Sequence, residues 1–211
     1  MPPFCIWGCQ MSHVMNTYAR QPVAFVRGEG VWLWDESGKK YLDALAGIAV
    51  STLGHAHPKL VRALAEQAGR VLHTSNLFRI PVQEAAADRI AEITGLDEVF
   101  FCNSGCEANE AAIKLARMYG HNQGIDNPTI IVMEKAFHGR TLAAITATGQ
   151  EKFHAGFSPL PEGFKYVPFN DVQALEKAVS KKTCAVLLEP IQGEGGVRVP
   201  DQGYLRAVRE L

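Results

Sequence analysis

Apolar positions follow two patterns along this chain, and the change between them divides it. From Val23 to Ala44 short apolar runs alternate with turn residues. Val23-Ala24-Phe25-Val26 meets Gly28-Glu29-Gly30, Val31-Trp32-Leu33-Trp34 meets Asp35-Glu36-Ser37-Gly38, and Tyr41-Leu42 closes the series. This spacing predicts a small β-meander. Pro58 then opens a helix whose apolar face is Leu60, Leu64 and Ala68, flanked by Val61 and Ala65, and Gly69 ends it. A second helix starts near Pro81, with Val82, Ala86, Ile90 and Ile93 on one side, and stops at Gly95.

Beyond Gly95 strands and helices alternate. Strands are expected at Glu98-Val99-Phe100-Phe101-Cys102, Thr129-Ile130-Ile131-Val132-Met133 and Cys184-Ala185-Val186-Leu187-Leu188. A helix is expected from Glu107 to Tyr119. Another, carrying Val172, Leu175 and Val179, is expected to start at a capping box of Asn170 and Gln173. A last one follows Asp201 as N-cap and carries Tyr204, Leu205, Val208 and Leu211. Continuous apolar strands separated by amphipathic helices indicate a mainly parallel α/β sheet with crossover helices. The expected organisation is a tail or misassigned start over 1–17, a small α+β segment over 18–72, and the first part of a large domain over 73–211. That domain reads as cut off inside a crossover helix.

Charge narrows the function. Twenty-one Lys and Arg balance 22 Asp and Glu, mixed along the chain without a basic stripe, which argues against a nucleic-acid partner. No apolar run approaches the roughly 18 residues of a membrane span, so no membrane partner is expected. Met1 to Gln10 lacks the pattern of a secretory signal; Met11 and Met15 offer alternative starts. The five cysteines are an odd number, and Cys5 and Cys9 have no second pair at zinc spacing. Cys102 and Cys184 fall in apolar runs and read as small buried hydrophobes. Reduced thiols and a cytoplasmic protein are expected.

In an open α/β sheet ligands bind beyond the carboxyl ends of the strands, and each predicted end carries unusual residues. Asn103-Ser104-Gly105-Cys106-Glu107-Ala108 opens a helix with small side chains, so its free N–H groups can hold a phosphate; a plain tight turn capped by Ser104 is the alternative. Lys135-Ala136-Phe137-His138-Gly139-Arg140-Thr141 can stack an aromatic ring on a flat ligand and pair a carboxylate; a loop with a core Phe and a solvated Arg is the alternative. Glu189-Pro190-Ile191-Gln192-Gly193-Glu194-Gly195-Gly196 offers two carboxylates, or else a flexible surface loop. The pair His55 and His57 reads as a turn before a helix rather than a metal site, and no metal site is expected. Together the three strand ends describe one pocket for a planar, phosphorylated cofactor and a carboxylate substrate.

At these residues the chain resembles the class III, fold-type I aminotransferases, from about Tyr18 to Leu211. The likeness rests on Gly30-Val31-Trp32-Leu33-Trp34-Asp35, Gly54-His55-Ala56-His57-Pro58, Asn103 to Glu110, Phe137-His138-Gly139-Arg140-Thr141 and Glu189 to Glu194, in that order. It implies pyridoxal 5'-phosphate as cofactor, small amino-acid and 2-oxo-acid substrates, and a homodimer when intact. It implies that Ser104, Gly105 and Cys106 hold the cofactor phosphate, that Phe137 stacks on its ring beside His138, and that Arg140 binds a substrate carboxylate. Glu194 resembles the glutamate that pairs with a distant arginine outside this chain. Many members carry Thr where Cys106 stands, a change that a backbone contact survives. The stretch Gly47 to His55 and Ser75-Asn76-Leu77-Phe78 resemble the acetylornithine-specific members. Ile48 stands where ornithine-specific members place a tyrosine, and an apolar residue suits an acylated amine, so succinylornithine and related acyl-amines stay open beside acetylornithine. The family's cofactor-anchoring lysine has no counterpart here: Lys135, Lys152, Lys181 and Lys182 lie in no matching motif. Nor is the aspartate that pairs the ring nitrogen present. The chain by itself is therefore expected to be catalytically incomplete, either as part of the aminotransferase or, alternatively, as a non-catalytic module that pairs with another subunit.

Overall fold

The computed structural model describes residues 13–211, in two compact units that divide between Glu84 and Ala85. The expectations about Cys5, Cys9 and the start before Met11 lie outside the described residues. In the first unit the meander forms as three antiparallel strands, β1 (Phe25–Glu29), β2 (Trp32–Asp35) and β3 (Lys40–Leu42), in the order β1-β2-β3. The Asp35 carboxylate organises the second turn. It accepts from the Ser37 and Lys39 amides at 2.9 Å and from the Tyr41 hydroxyl at 2.8 Å. The Ser37 hydroxyl bond, the largest influence, and these others hold the carboxyl at about 2.

The segment α1 (Ala46–Ala49) is a single turn of left-handed sense, with φ of 50° at Ala46, 64° at Gly47, 60° at Ile48 and 60° at Ala49. Left-handed backbone costs an L-residue roughly 1–2 kcal/mol, and a β-branched residue there is an outlier. Helix α2 (Pro58–Ala68) starts at its proline and ends at Gly69, as the sequence predicts. His57 occupies the N-cap position but makes no side-chain cap bond. The predicted apolar face of α2 forms, yet Leu60, Val61 and Leu64 are exposed.

The second unit holds a three-stranded parallel sheet of order β5-β4-β6: β4 (Thr129–Met133), β5 (Phe164–Val167) and β6 (Thr183–Leu187). The second unit also holds α4 (Gly105–Asn122), α5 (Leu142–Ala147), α6 (Val172–Ala178) and α7 (Tyr204–Glu210), and the boundary between the units falls within α3 (Pro81–Thr94). The alternation along β4 sorts its side chains. Ile131 and Met133 join a core with Val167, Phe169, Leu175 and Tyr204, while Ile130 and Val132 join one with Ile113 and Ala147. Both faces are covered, so the strand is apolar throughout.

Several local expectations are corrected. Residues 98–102 form no strand. Phe100 and Phe101 are exposed and Cys102 is not buried, because a strand needs a hydrogen-bonded neighbour and none among the described residues pairs with this run. Cys184 does lie in a strand but is only partly buried. The N-cap of α6 is Asp171, whose carboxylate accepts from the Ala174 amide at 2.8 Å; the Asn170 side chain instead accepts from the Asp201 amide at 2.9 Å. At α7 the N-cap is Gly203, and Asp201 contributes its backbone carbonyl to the Tyr204 amide. Strand β5 has no continuous apolar run to signal it, since Lys165 and Tyr166 interrupt the pattern.

Candidate active site

The second unit brings three segments to one place: the N-terminus of α4, the loop Glu134–Thr141 after β4, and the loop Leu188–Arg198 after β6. Ser104 is extended and caps α4, its hydroxyl accepting from the Glu107 amide at 3.2 Å. Glu107 reaches back to accept from the Asn103 amide at 2.5 Å. The position of Gly105 is open, with no atom near the place a side chain would fill. The helix therefore presents small, uncrowded residues where its free N–H groups and dipole favour an anion.

Cys106, on the first turn of α4, meets the β4 loop. Its Sγ lies 3.3 Å from Thr141 Oγ1. The Thr141 hydroxyl donates to Glu110, and the same carboxylate oxygen accepts from the Ala144 amide at 3.0 Å. Thr141 makes no cap bond of its own, so Glu110, one turn along α4 from Cys106, caps α5 from outside. Asn109 adds a bond from its side-chain amide to the His138 carbonyl at 2.8 Å. Partial burial, the strongest influence on the Cys106 thiol, raises its pKa, but the Thr141 side chain and the backbone at Thr141 and Arg140 bring it below the ordinary thiol value.

His138 is 4% exposed, and its backbone amide donates to Thr148 Oγ1 at 2.9 Å. Its Nε2 is buried and has no partner among the described residues. Burial lowers its pKa to about 4, so the ring is neutral at neutral pH. Phe137 sits beside it, its amide donating to Glu189 Oε2 at 3.0 Å, while Glu189 Oε1 accepts from the Gly193 amide at 3.3 Å. Glu189 thus ties the two loops together. Its neighbour Gln192 is fully buried and donates to the Glu134 carbonyl at 2.9 Å, so this segment is anchored at its centre and not only a solvated loop.

A 3-10 turn, Glu151–Phe153, completes the arrangement. Phe153 stands edge-on to Phe137 at 5.7 Å, and the Arg140 guanidinium lies 5.9 Å from the Phe153 ring centre. Lys152 reaches Glu194 at 3.6 Å. Contacts therefore link Ser104, Gly105 and Cys106 on one side to Phe137, His138 and Arg140, with Glu194 joined through Lys152. Glu110, Asn109, Thr148 and Glu189 were not singled out for these roles; only their contacts, 10 to 52 residues apart in sequence, reveal them. A cavity of about 600 Å³ lined by Arg117, Asn127 and Lys182 opens at the strands' amino ends, the wrong edge for ligands of an open sheet. Among the described residues no group of His, Cys, Asp or Glu is arranged to hold a metal ion.

Residues 14–211 match the family described as aminotransferase class III. The chain belongs to the class III aminotransferases. The acetylornithine aminotransferase of Nitrosomonas europaea is 61% identical over 203 residues, which are 95% of this chain and 52% of that protein. Among solved structures, the ornithine aminotransferase of Toxoplasma gondii superposes with a TM-score of 0.90 at 37% identity, over 94% of this chain and 48% of that one. The N-acetylornithine aminotransferase of Stenotrophomonas maltophilia gives a TM-score of 0.77 at 41% identity, over 92% and 48%. The chain thus spans about half the length of the class III aminotransferases it matches. Its fold is that of the corresponding part of a fold-type I aminotransferase.

Proposed function

We propose that this chain supplies the phosphate cradle and substrate-carboxylate arm of a pyridoxal-phosphate enzyme. The whole protein's reaction is transamination between N2-acetyl-L-ornithine and 2-oxoglutarate, a step of arginine biosynthesis. The observation that carries this reading is the junction of Cys106, Thr141 and Glu110, which fixes an open helix N-terminus beside the Phe137–Arg140 loop. The residues present suit the cofactor in two further ways. Gly105 leaves the helix entrance clear, and the buried His138 Nε2 lacks a partner among the described residues.

In this reading the Gly105 and Cys106 amides, with Ser104, hold the phosphate. Phe137, fixed through its amide by Glu189, flanks the pyridine ring beside His138. Arg140 anchors a substrate carboxylate with a planar fork that a lysine lacks. Glu194 is paired here with Lys152, whose ammonium and the Arg140 guanidinium both approach the Phe153 ring. The cofactor, when bound, withdraws electrons from the substrate's reacting carbon. Protons at that carbon need a basic group, and no lysine of this chain is assigned that task. The protein is proposed to be cytoplasmic and homodimeric. The segments 18–72 and 73–211 are proposed as its small N-terminal part and the start of its cofactor domain.

The test is a substrate comparison on the intact protein that carries this chain. Amino transfer to 2-oxoglutarate is measured from N2-acetylornithine, N2-succinylornithine and ornithine. The expected order places acetylornithine first in kcat/KM, because Ile48 offers no partner to a free α-amino group. A preference for ornithine would support an ornithine aminotransferase instead, and no transfer to 2-oxoglutarate from any of the three would overturn the reading. The 211-residue chain alone is expected to give no turnover.

A further inference from the structure

Four successive residues, Ala46 to Ala49, hold positive φ, and only one of them is glycine. Such strain persists only where surrounding structure over-determines it. Here the determinant is one carboxylate. Asp43 Oδ1 accepts from the Leu45 amide at 3.0 Å and from the Ala46 amide at 2.8 Å, orienting the first residues of the turn. Asp43 Oδ2 pairs with His55 Nε2 at 2.7 Å, and the Asp43 side chain is only 9% exposed. The turn then closes on itself, the Val50 and Ser51 amides both donating to the Ala46 carbonyl at 2.9 and 2.8 Å.

His55 is itself immobilised against the β1–β2 hairpin. Its backbone exchanges two hydrogen bonds with Gly30, at 2.9 and 2.8 Å. Its side chain fills the space beside Gly28, where an added Cβ would lie 2.6 Å from His55 Cβ and Cγ. Thus a hairpin seats a histidine, the histidine holds an aspartate, and the aspartate sets a turn of unfavourable hand. The hydrogen bond from His55, then that from the Ala46 amide, keeps the Asp43 carboxyl below its usual range. It is therefore ionised and able to accept all three bonds at neutral pH.

We propose that Asp43, seated by His55, is a positioning residue for substrate selection: it holds Ala46–Ala49 left-handed so that Ile48, at the crest of the turn, is presented outward in one fixed orientation. Ile48 is 80% exposed, so nothing that packs on its side chain accounts for its backbone conformation. The inference deepens the reading above and rests on it in one respect, that Ile48 discriminates acylated from free ornithine. Asp43 touches no reacting atom. Its loss lets the turn relax to an ordinary conformation, which moves Ile48 and weakens discrimination through binding, while the chemical step is left nearly intact.

The experiment has two readouts on the intact protein carrying this chain. Amide hydrogen exchange is followed over Leu45 to Ser51, with β1 and β2 as internal reference. The ratio of kcat/KM for N2-acetylornithine to that for ornithine is measured alongside. Asp43→Ala is expected to speed exchange at Leu45 and Ala46 by at least about tenfold and to lower the selectivity ratio by about tenfold, mostly through KM. Asp43→Asn keeps an oxygen for both amides and an NH2 group facing His55, so it is expected to retain most of both properties. Should Asp43→Ala fail to fold, His55→Leu removes only the outer bond and is expected to give smaller changes of the same sign. Unchanged exchange in Asp43→Ala, or in His55→Leu where that replaces it, overturns the positioning role. Faster exchange with an unchanged ratio overturns its link to selection. If the wild type transfers no amino group from either substrate, the parent reading fails, and the exchange arm still decides whether Asp43 holds the turn.

Discussion

Replacing Gly139 by alanine adds one methyl group where the β4 loop presses on the N-terminus of α4. A Cβ built there overlaps Cys106 Sγ and lies 3.0 Å from both Cys106 Cβ and Ala144 Cβ. The sulfur can rotate away, but the two β-carbons are fixed to helix backbones. The Gly139 φ of 133° adds a second penalty, because L-residues rarely occupy that region. Backbone strain of this kind costs roughly 1–3 kcal/mol, and overpacking a close contact roughly 1–3 kcal/mol more. The sum, about 2–6 kcal/mol, is a large share of a typical total stability of about 5–15 kcal/mol. Urea unfolding followed by circular dichroism measures it; at a slope of roughly 2 kcal/mol per molar the midpoint falls by about 1–3 M. The double variant Cys106→Ala with Gly139→Ala removes the sulfur overlap but not the strain, so it is expected to recover only about 1 kcal/mol. A Gly139→Ala unfolding free energy within about 0.5 kcal/mol of wild type would show that loop and helix are not pressed together, and the single-site geometry would fall with it.

Four further outcomes are expected. The folded His138, with a pKa of about 4 against about 6.5 unfolded, binds fewer protons than the unfolded chain between those values. Stability should therefore fall by about 3 kcal/mol as pH drops from 6.5 to 4, and His138→Asn should flatten that part of the urea-midpoint profile; an unchanged slope would place the imidazole in contact with water. In the intact protein Arg140→Ala should lower kcat/KM by about 30- to several-thousand-fold, corresponding to roughly 2–5 kcal/mol. Arg140→Lys should be intermediate and cofactor binding barely altered, whereas release of the cofactor would contradict the carboxylate role. Glu110→Ala should lose the exchange protection of the Ala144 amide, while Glu110→Gln, which still accepts from it, keeps most; equal exchange in the two would remove Glu110 as the outside cap. The 211-residue chain exposes Leu60, Val61, Leu64, Leu115 and Met118, so it should bind a hydrophobic dye and self-associate, and a dye-silent monomer in sedimentation would count against that.

Where the chain's own pattern is strong and local, it determines the structure. The run Thr129–Met133 is a buried strand because every residue is apolar enough for either face of a covered sheet. Helices α2 and α3 begin at prolines, whose fixed φ suits a first turn, and end just before Gly69 and Gly95. Ser104 caps α4 because its hydroxyl reaches an amide only three residues on. The family motifs are likewise continuous stretches, so the sequence suffices to bring out Ser104 to Cys106, Phe137 to Arg140, and Glu194 as candidates.

Tertiary structure decided what depends on a distant partner. Residues 98–102 have strand-like composition but no neighbour to complete their hydrogen bonds, whereas Phe164–Val167, with a lysine and a tyrosine, becomes a strand because β4 offers its edge. Asn170 and Asp171 are both chemically able to cap α6, and the approach of Asp201 occupies the first and leaves the second for the helix. The roles of Glu110 and Glu189 depend on loops 31 and 52 residues away. The left-handed turn is furthest from prediction. Alanine and isoleucine have no local reason to adopt it, and it exists because a carboxylate three residues earlier is held in place by a histidine twelve residues beyond it. Periodicity and capping are short-range effects that a linear pattern records; strain and cross-loop hydrogen bonds are long-range ones, settled only when the chain has brought their partners together.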